Sequence, residues 1–318
     1  MLARVFASAE TLIAVVVIAE EFDPQNRGWG IGALGAIQAT GAGLAALMFG
    51  FVDVLPWGWR SLYLVGLGPL MLVAWWRRAL PETNRFVELS RERGTDLRST
   101  PPLAPVLNLI REHPGRLAAL CAVVFVLGVV ISPATFFAPK YLQDVHGWSP
   151  GWVAALNFGG GAFAIVANPF AGWLSDRRGR RPVAIAFTFG LTLVVAAFYT
   201  GIGMPTPALW VPMIFGVFGA EVTLSAYGAE LFPTSQRSMA SGLRSFSHNV
   251  GAIAGLAAVS LLFVSLGSIW AAIAAVSGLL ILAPLLVWLS FPETAGRSLE
   301  EIAPEAEPLR PPPDPARD

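Results

Sequence analysis

The residues WVAALNFGGGAFAIVANPFAGWL (152–174) and VAIAFTFGLTLVVAAFYTGIG (183–203) flank a short basic segment, SDRRGRRP (175–182). Each flanking run is uncharged and long enough, as a helix, to cross about 30 Å of hydrocarbon. Neither alternates apolar and polar residues as the wall of a β-barrel must. The stretch therefore reads as two membrane helices joined by a polar turn.

Working outward, the same pattern recurs along the chain. Nine candidate spans emerge: Val5–Ala19, Trp29–Val52, Trp59–Trp76, Leu117–Ala138, Trp152–Leu174, Val183–Gly203, Leu209–Leu231, Met239–Leu266 and Ile269–Phe291. The composition agrees, since 55% of residues are hydrophobic and only 13% charged, too few charges to cover a soluble surface. The first run is broken by Glu10, has only Arg4 as a basic leader and ends on the poor cleavage site Ala19-Glu20-Glu21, so it reads as a span rather than a signal peptide. Formal net charge is zero, so nothing points to nucleic acid. Cys121 is the single cysteine and sits in an apolar run, which excludes a disulfide or a cysteine zinc site. Three histidines and no ligand cluster give no sign of a membrane-embedded enzyme, a metal or a cofactor.

The arginines set direction. Arg27 follows the first span; Arg77, Arg78, Arg85, Arg91, Arg93, Arg98, Arg111 and Arg116 lie between the third and fourth. Arg177, Arg178, Arg180 and Arg181 fill the fifth-to-sixth turn, Arg237 follows the seventh span and Arg297 the ninth. The alternate connections hold only Arg60 and Lys140. By the positive-inside rule the arginine-rich side is cytoplasmic, the C-terminus with it, and Met1 lies outside. This organises the chain as a three-helix bundle (1–76), a cytoplasmic loop (77–116), a six-helix bundle (117–291) and a cytoplasmic tail (292–318) expected to be disordered after about 303, where Pro and acidic residues dominate.

Two motifs repeat at a constant offset. Ala19-Glu20-Glu21-Phe22 leads to Arg27 as Ala229-Glu230-Leu231-Phe232 leads to Arg237, an offset of 210 (229 − 19). Leu80-Pro81-Glu82-Thr83 is echoed by Phe291-Pro292-Glu293-Thr294, an offset of 211 (292 − 81). Spans one to three thus match spans seven to nine, and spans four to six have no partner. The expectation is a parent of roughly 410 residues and twelve spans, with about 93 residues and three helices upstream of Met1. On that expectation the chain alone is a non-transporting fragment, because alternating access needs two bundles closing on one site.

Two parallel six-helix halves joined by a long cytoplasmic loop are the architecture of the major facilitator superfamily. The run from Gly172 through Asp176, Arg177, Gly179, Arg180 and Arg181 resembles that family's signature between its eighth and ninth helices. The resemblance implies an all-α helical bundle in which Gly172, Asp176, Arg177, Gly179, Arg180, Arg181, Glu20, Arg27, Glu230 and Arg237 form a charge network shutting an inner gate. Exposed pairs of this kind are each worth about 0–1 kcal/mol. The Pro292–Glu301 run resembles the end of sugar-porter-type members, yet Leu117–Ala138 lacks the paired glutamines expected there. Trp29–Val52 lacks the Gly-Pro motif of drug/proton antiporters. The implied function is secondary active transport of a small organic solute, an organic acid or sugar-like metabolite, by proton-coupled symport in the cell membrane as a monomer. A proton-driven exporter is the alternative. The expected partners are the lipid bilayer, the solute and protons.

Ionisable groups at membrane depth usually face a cavity. Glu10 and Glu221 lie inside spans one and seven and share the repeat offset, 211 (221 − 10). They, with Asn157, His248 and Asn249, are the candidates for solute binding or proton coupling; neutral structural hydrogen bonds to neighbouring helices are the competing role. Arg244 is read as snorkelling to the surface, and Pro133 and Pro139 as bending or ending span four. Gly28/Gly32 and Gly251/Gly255 are read as close-packing stripes. The arginine pattern makes one prediction directly: in a Cys121→Ser background, Thr95→Cys escapes a membrane-impermeant maleimide in intact cells and reacts after permeabilisation. Labelling from outside would reverse the topology.

Overall fold

The computed structural model describes residues 2–49, 54–77, 104–201 and 206–304. Its helices are α1 (Leu2–Glu21), α2 (Arg27–Phe49), α3 (Trp59–Arg77), α4 (Ala104–Glu112), α5 (Pro114–Asp144), α6 (Pro150–Arg178), α7 (Arg180–Thr200), α8 (Trp210–Glu230), α9 (Thr234–Leu266), α10 (Ile269–Ser277), α11 (Leu282–Ser290) and α12 (Leu299–Ile302). Six spans among the described residues are long and apolar enough to cross a membrane: α5, α6, α7, α8, α9 and the continuous α10–α11 unit. Helices α1, α2 and α3 coincide with the first three runs of the sequence.

Several boundaries differ from the sequence reading, each for a local reason. The expected loop over 77–116 lies partly outside the described residues, but its last part is helical. Leu109 of α4 is fully buried, Glu112 accepts a hydrogen bond from Gln236, and Pro114 opens α5 in the first turn, where a missing N–H costs nothing. Helix α5 runs straight through Pro133 and Pro139 to Asp144 instead of stopping. Pro133 cannot bond the Val129 carbonyl one turn back. That oxygen is instead covered by the bare backbone of Gly255, where a Cβ would lie 2.0 Å from it. Helices α6 and α7 extend toward each other until only Gly179 separates them. Between α10 and α11 the chain tightens into a 3-10 turn, Gly278–Ile281, just before Pro284 withdraws its N–H from the ladder. Of the tail, α12 is ordered against the bundle, with Leu299 and Ile302 buried; residues 305–318 lie outside the described residues.

Glycine backbones bring helices together where side chains would hold them apart. On α9, Gly251 lies against the Phe125 carbonyl of α5, as Gly255 does against Val129. Between α2 and α6, Gly28 and Gly172 touch backbone to backbone, so closely that a Cβ on Gly172 would sit 1.9 Å from the Gly28 oxygen. Gly32 lies on the Asn168 carbonyl, and Gly35 on the Asn168 side chain. Farther along the same face the seam fades. Ala42 is exposed on α2, and Gly161 and Phe158 are exposed on α6. Nothing would meet a Cβ on Gly41, Gly43, Gly159 or Gly161. The backbone-to-backbone glycine contacts of the two helices are thus concentrated at the arginine-rich end.

This predicts an asymmetry between two chemically identical changes. Gly172→Ala overpacks the seam and lowers stability by about 1–3 kcal/mol, seen as a drop in the melting temperature of the purified protein. Gly161→Ala has open space and gains helix propensity, so its melting temperature stays level or rises.

Candidate functional site

The arginine-rich end is built around Arg180, whose side chain is completely buried. Gly179, the single residue between α6 and α7, has φ of 101°, a backbone conformation that other residues resist. The reversal it permits folds Arg180 back over Asp176. Arg180 Nη1 donates to Asp176 Oδ1 at 2.6 Å and to Ser175 Oγ at 2.7 Å. Its Nε and Nη2 face Glu230, with Nη2 to Oε1 at 2.9 Å. The planar guanidinium fork thus joins α6, α7 and α8.

The carboxylates do double duty at helix ends. Asp176 Oδ1 and Oδ2 accept the backbone N–H of Gly28 and Trp29 at 2.9 and 2.8 Å. It therefore caps the N-terminus of α2 from a different part of the chain, where orphan N–H groups and the helix dipole favour an anion. Glu293 does the same for α7, accepting from Arg180 N at 2.7 Å and Arg181 N at 3.2 Å. A Cβ on Gly179 would strike that Glu293 carboxylate at 2.5 Å, a second reason for glycine there. Thr294 Oγ donates to Glu230 Oε2 at 2.6 Å, so the Pro292–Thr294 corner closes on the network.

Two further contacts run from α1 and α2 to the later helices. Arg237 Nη1 on α9 donates to Glu20 Oε1 on α1 at 2.7 Å, both side chains almost fully buried. Arg27 Nη1 donates to the Arg297 carbonyl at 3.1 Å. Of the other signature arginines, Arg177 stacks on the Trp173 ring, 4.8 Å from its centre, and Arg181 reaches the Trp288 carbonyl.

At mid-depth the expected residues divide. Glu221 lies nine residues from the end of α8, about 14 Å along the axis. Its Oε1 accepts from Arg244 Nη1 of α9 at 2.9 Å and from Ser225 Oγ at 3.2 Å. Arg244 therefore does not snorkel; it is buried against α8 and paired. The side chain of Glu221 is half exposed and lies within ion-pair distance of Arg244 on the neighbouring helix. Its repeat counterpart Glu10 is exposed on α1, beside Thr11, whose hydroxyl accepts from Gln38 at 2.8 Å. His248 sits one turn beyond Arg244, on the same side as Glu221. Asn157 and Asn249 spend their amides on their own helices, bonding Val153 and Ser245 carbonyls at 2.9 Å each. The structure does not bring those two asparagines to the Glu221 pair by any hydrogen bond.

A family model described as Major Facilitator Superfamily matches residues 1–229 and 151–314. The chain belongs to the Major Facilitator Superfamily. It is 29% identical over 267 residues to the ectoine/proline transporter ProP of Corynebacterium glutamicum, a match covering 77% of this chain and 51% of that protein. It is 27% identical over 209 residues to the sialic acid transporter NanX of Escherichia coli, covering 64% and 48%. With the shikimate transporter of Escherichia coli it shares 25% over 173 residues, 54% and 38% of the two chains. The chain spans about half the length, or less, of these relatives. The solved structure of the proton:xylose symporter XylE bound to 6-bromo-6-deoxy-D-glucose matches with a TM-score of 0.71 at 18% identity, over 92% of this chain and 70% of that one. That likeness is one of fold.

In this Major Facilitator Superfamily member the charge network differs from its sequence expectation in burial. Arg180, Asp176 and Glu230 are 0%, 3% and 1% exposed at their side chains. The sequence reading missed Ser175, Glu293 and Thr294; the signal was present in the Pro-Glu-Thr repeat, but nothing local shows that its carboxylate reaches α7. Removing one partner of such a buried pair costs about 3–5 kcal/mol, because the other charge is left stranded. Arg180→Lys supplies one ammonium where the fork serves three partners. It is expected to lower the melting temperature of the purified protein more than Glu230→Gln, which leaves Arg180 its contact with Asp176. The reverse order would place the weight of the cluster on Glu230.

Proposed function

We propose that the chain works as the moving core of a secondary active carrier for a small organic solute, coupled to protons and operating by alternating access in the cell membrane. The single observation that carries this reading is the set of polar contacts that ties α1 and α2 to the later helices at the arginine-rich end. Helices α1 and α2 are held to the later helices through Asp176 on the Gly28 and Trp29 amides and through Glu20 on Arg237. These contacts tie the first helices to the later ones at one end, as the shut inner gate of a rocking carrier would.

In this reading the arginine-rich end is cytoplasmic, the C-terminus with it, and Gly172, Asp176, Gly179, Arg180, Glu20, Arg27, Glu230 and Arg237 form the inner gate. Helices α1–α3 and α5–α11 act as the two moving bodies. Glu221 is the coupling carboxyl, placed near mid-depth and open to the space between helices, with His248 close by. The names of the relatives support a small, polar organic solute: ectoine and proline, shikimate, and sialic acid are what those proteins are named for. The protein functions as a monomer in the bilayer.

Two measurements test this. Reconstituted in liposomes with an inward proton gradient, the protein is expected on the carrier reading to accumulate at least one solute from a panel of proline, ectoine, shikimate and N-acetylneuraminate, with accumulation lost on adding a protonophore; no accumulation is the outcome that the fragment expectation from the repeat gives. Glu221→Gln is expected to flatten the dependence of that uptake on pH between about 5 and 8, the range an ionisable coupling group must serve. Absence of gradient-driven flux would sink the carrier reading. For the gate, Glu20→Gln removes one between-body charge. Spin labels at the arginine-rich ends of α1 and α9 should then show a larger share of long distances, a shift of about tenfold for each 1.4 kcal/mol lost.

A further inference from the structure

Among the described residues, the two ion pairs that link α8 to a neighbouring helix are built differently. Arg180–Glu230 is sealed, its side chains 0% and 1% exposed. Arg244–Glu221 is sealed on one side only: Arg244 is 9% exposed and Glu221 is 47% exposed. A structural pair deep in a bilayer is expected to be closed on both sides, because an ion facing hydrocarbon is costly. An open carboxylate at this depth belongs beside water. Helix α8, which carries it, packs against α1 and α2 as well as against α5, α6, α7 and α9, so it borders both helix sets.

Arg244 is also under-used. A guanidinium offers five N–H donors in a planar fork. Nη1 bonds Glu221, and among the described residues Nε and Nη2 meet no protein acceptor, nor are they buried out of reach. The stem is pinned rather than free: it lies over Gly228 of α8, whose Cβ would come 3.1 Å from Arg244 Cδ. Among the described spans Arg244 is the one basic side chain far from a helix end, ten residues into α9, about 15 Å along its axis. A fixed, desolvated guanidinium with two adjacent donors to spare is matched in shape and charge to a carboxylate, which takes such a fork with two parallel hydrogen bonds.

We infer that Arg244 is the anion-binding residue of the solute site, that the solute bears a carboxylate, and that Glu221 is its internal competitor for Arg244. This rests on the carrier reading above and deepens it. With the site empty, Glu221 balances the buried guanidinium and keeps it from standing unpaired. When the solute carboxylate arrives, the two anions share one cation, and the site is most favourable once Glu221 gives up its charge. The basic side chains that act on Glu221 are Arg244 and His248, both on α9. Neutral solutes have nothing to displace.

The test is binding to the purified full chain, read as thermal stabilisation, with small carboxylic acids each paired with its own primary amide. Acids are expected to stabilise the protein and their amides not. Glu221→Gln removes the competitor and should tighten acid binding at least about tenfold, the worth of one charge-assisted hydrogen bond. The double variant Glu221→Gln/Arg244→Gln removes both charges together, which spares the fold an unpaired ion, and should lose acid binding. The inference is overturned if amides stabilise as well as acids, if the double variant keeps its affinity, or if no acid stabilises any form at millimolar concentration. The outcomes also separate the two readings. Acids that bind without any gradient-driven flux leave this site standing and remove the carrier; gradient-driven flux of neutral solutes alone does the opposite.

Discussion

A guanidinium with no access to water must find acceptors on all sides, and Arg180 is that group here. Its position follows from one backbone fact, the left-handed Gly179 that turns α7 back against the end of α6. Once Arg180 is buried, Asp176, Ser175 and Glu230 are drawn to it. Glu230 then needs its second oxygen satisfied, which Thr294 does. Asp176 has lone pairs left over, and the exposed N-terminus of α2 supplies two N–H groups for them. The Gly28–Gly172 contact is as short as it is because the α2 terminus must come within hydrogen-bond reach of a carboxylate on α6. One buried cation thus organises four helices and the chain after α11.

The contacts at this end fall into two kinds. Arg180 with Glu230, Glu293 on the α7 terminus and Thr294 on Glu230 all join elements that follow residue 104, and they persist however the two helix sets move. Asp176 on the α2 terminus, Glu20 with Arg237, and Arg27 with the Arg297 carbonyl cross from the first set to the second. In the proposed rocking motion these are the contacts that would break. Asp176 does not lose its cation in that event, because Arg180 stays on its own side. The charge that caps α2 is held ready for the return.

Much of this was legible in the sequence, and the parts that were not share a cause. The spans were readable because a bilayer demands long uninterrupted apolar helices, and the arginine alternation follows from how such chains are inserted. The signature residues Asp176, Gly179 and Arg180 were readable because glycine at a positive φ and a buried cation each restrict residue choice. The length of the turn was not: SDRRGRRP looks polar enough for a loop, yet Asp176 and Arg180 are neutralised by partners more than a hundred positions away in the chain or one helix over, so helix continues on both sides of Gly179. Arg244 misled for the same reason. Its distance from the end of α9 allows snorkelling, and only the packing of α8 shows a carboxylate nearer than water. The equivalence of Glu10 and Glu221 in the repeat was visible, but their environments diverge, since the first half has Leu34 at the position corresponding to Arg244.

Where a polar contact sits decides what it costs to break. At the arginine-rich end, separated groups can be rehydrated, so each crossing contact is replaced by hydrogen bonds to water and its net worth falls to about 0.5–1.5 kcal/mol, more for the charged ones. Three such contacts together amount to a few kcal/mol, the scale that holds one state of a two-state carrier in majority without freezing it. At mid-depth a bond sealed on all sides would be far harder to exchange, whereas one open on one side, as at Glu221, is not. Glu221 and Arg244 are at that depth, and they join α8 to α9 within one helix set, so no rocking motion has to break them. In the proposed carrier, a pair that survives the conformational change would be free to respond to a solute or a proton in both states, which is what a coupling site must do and a gate must not.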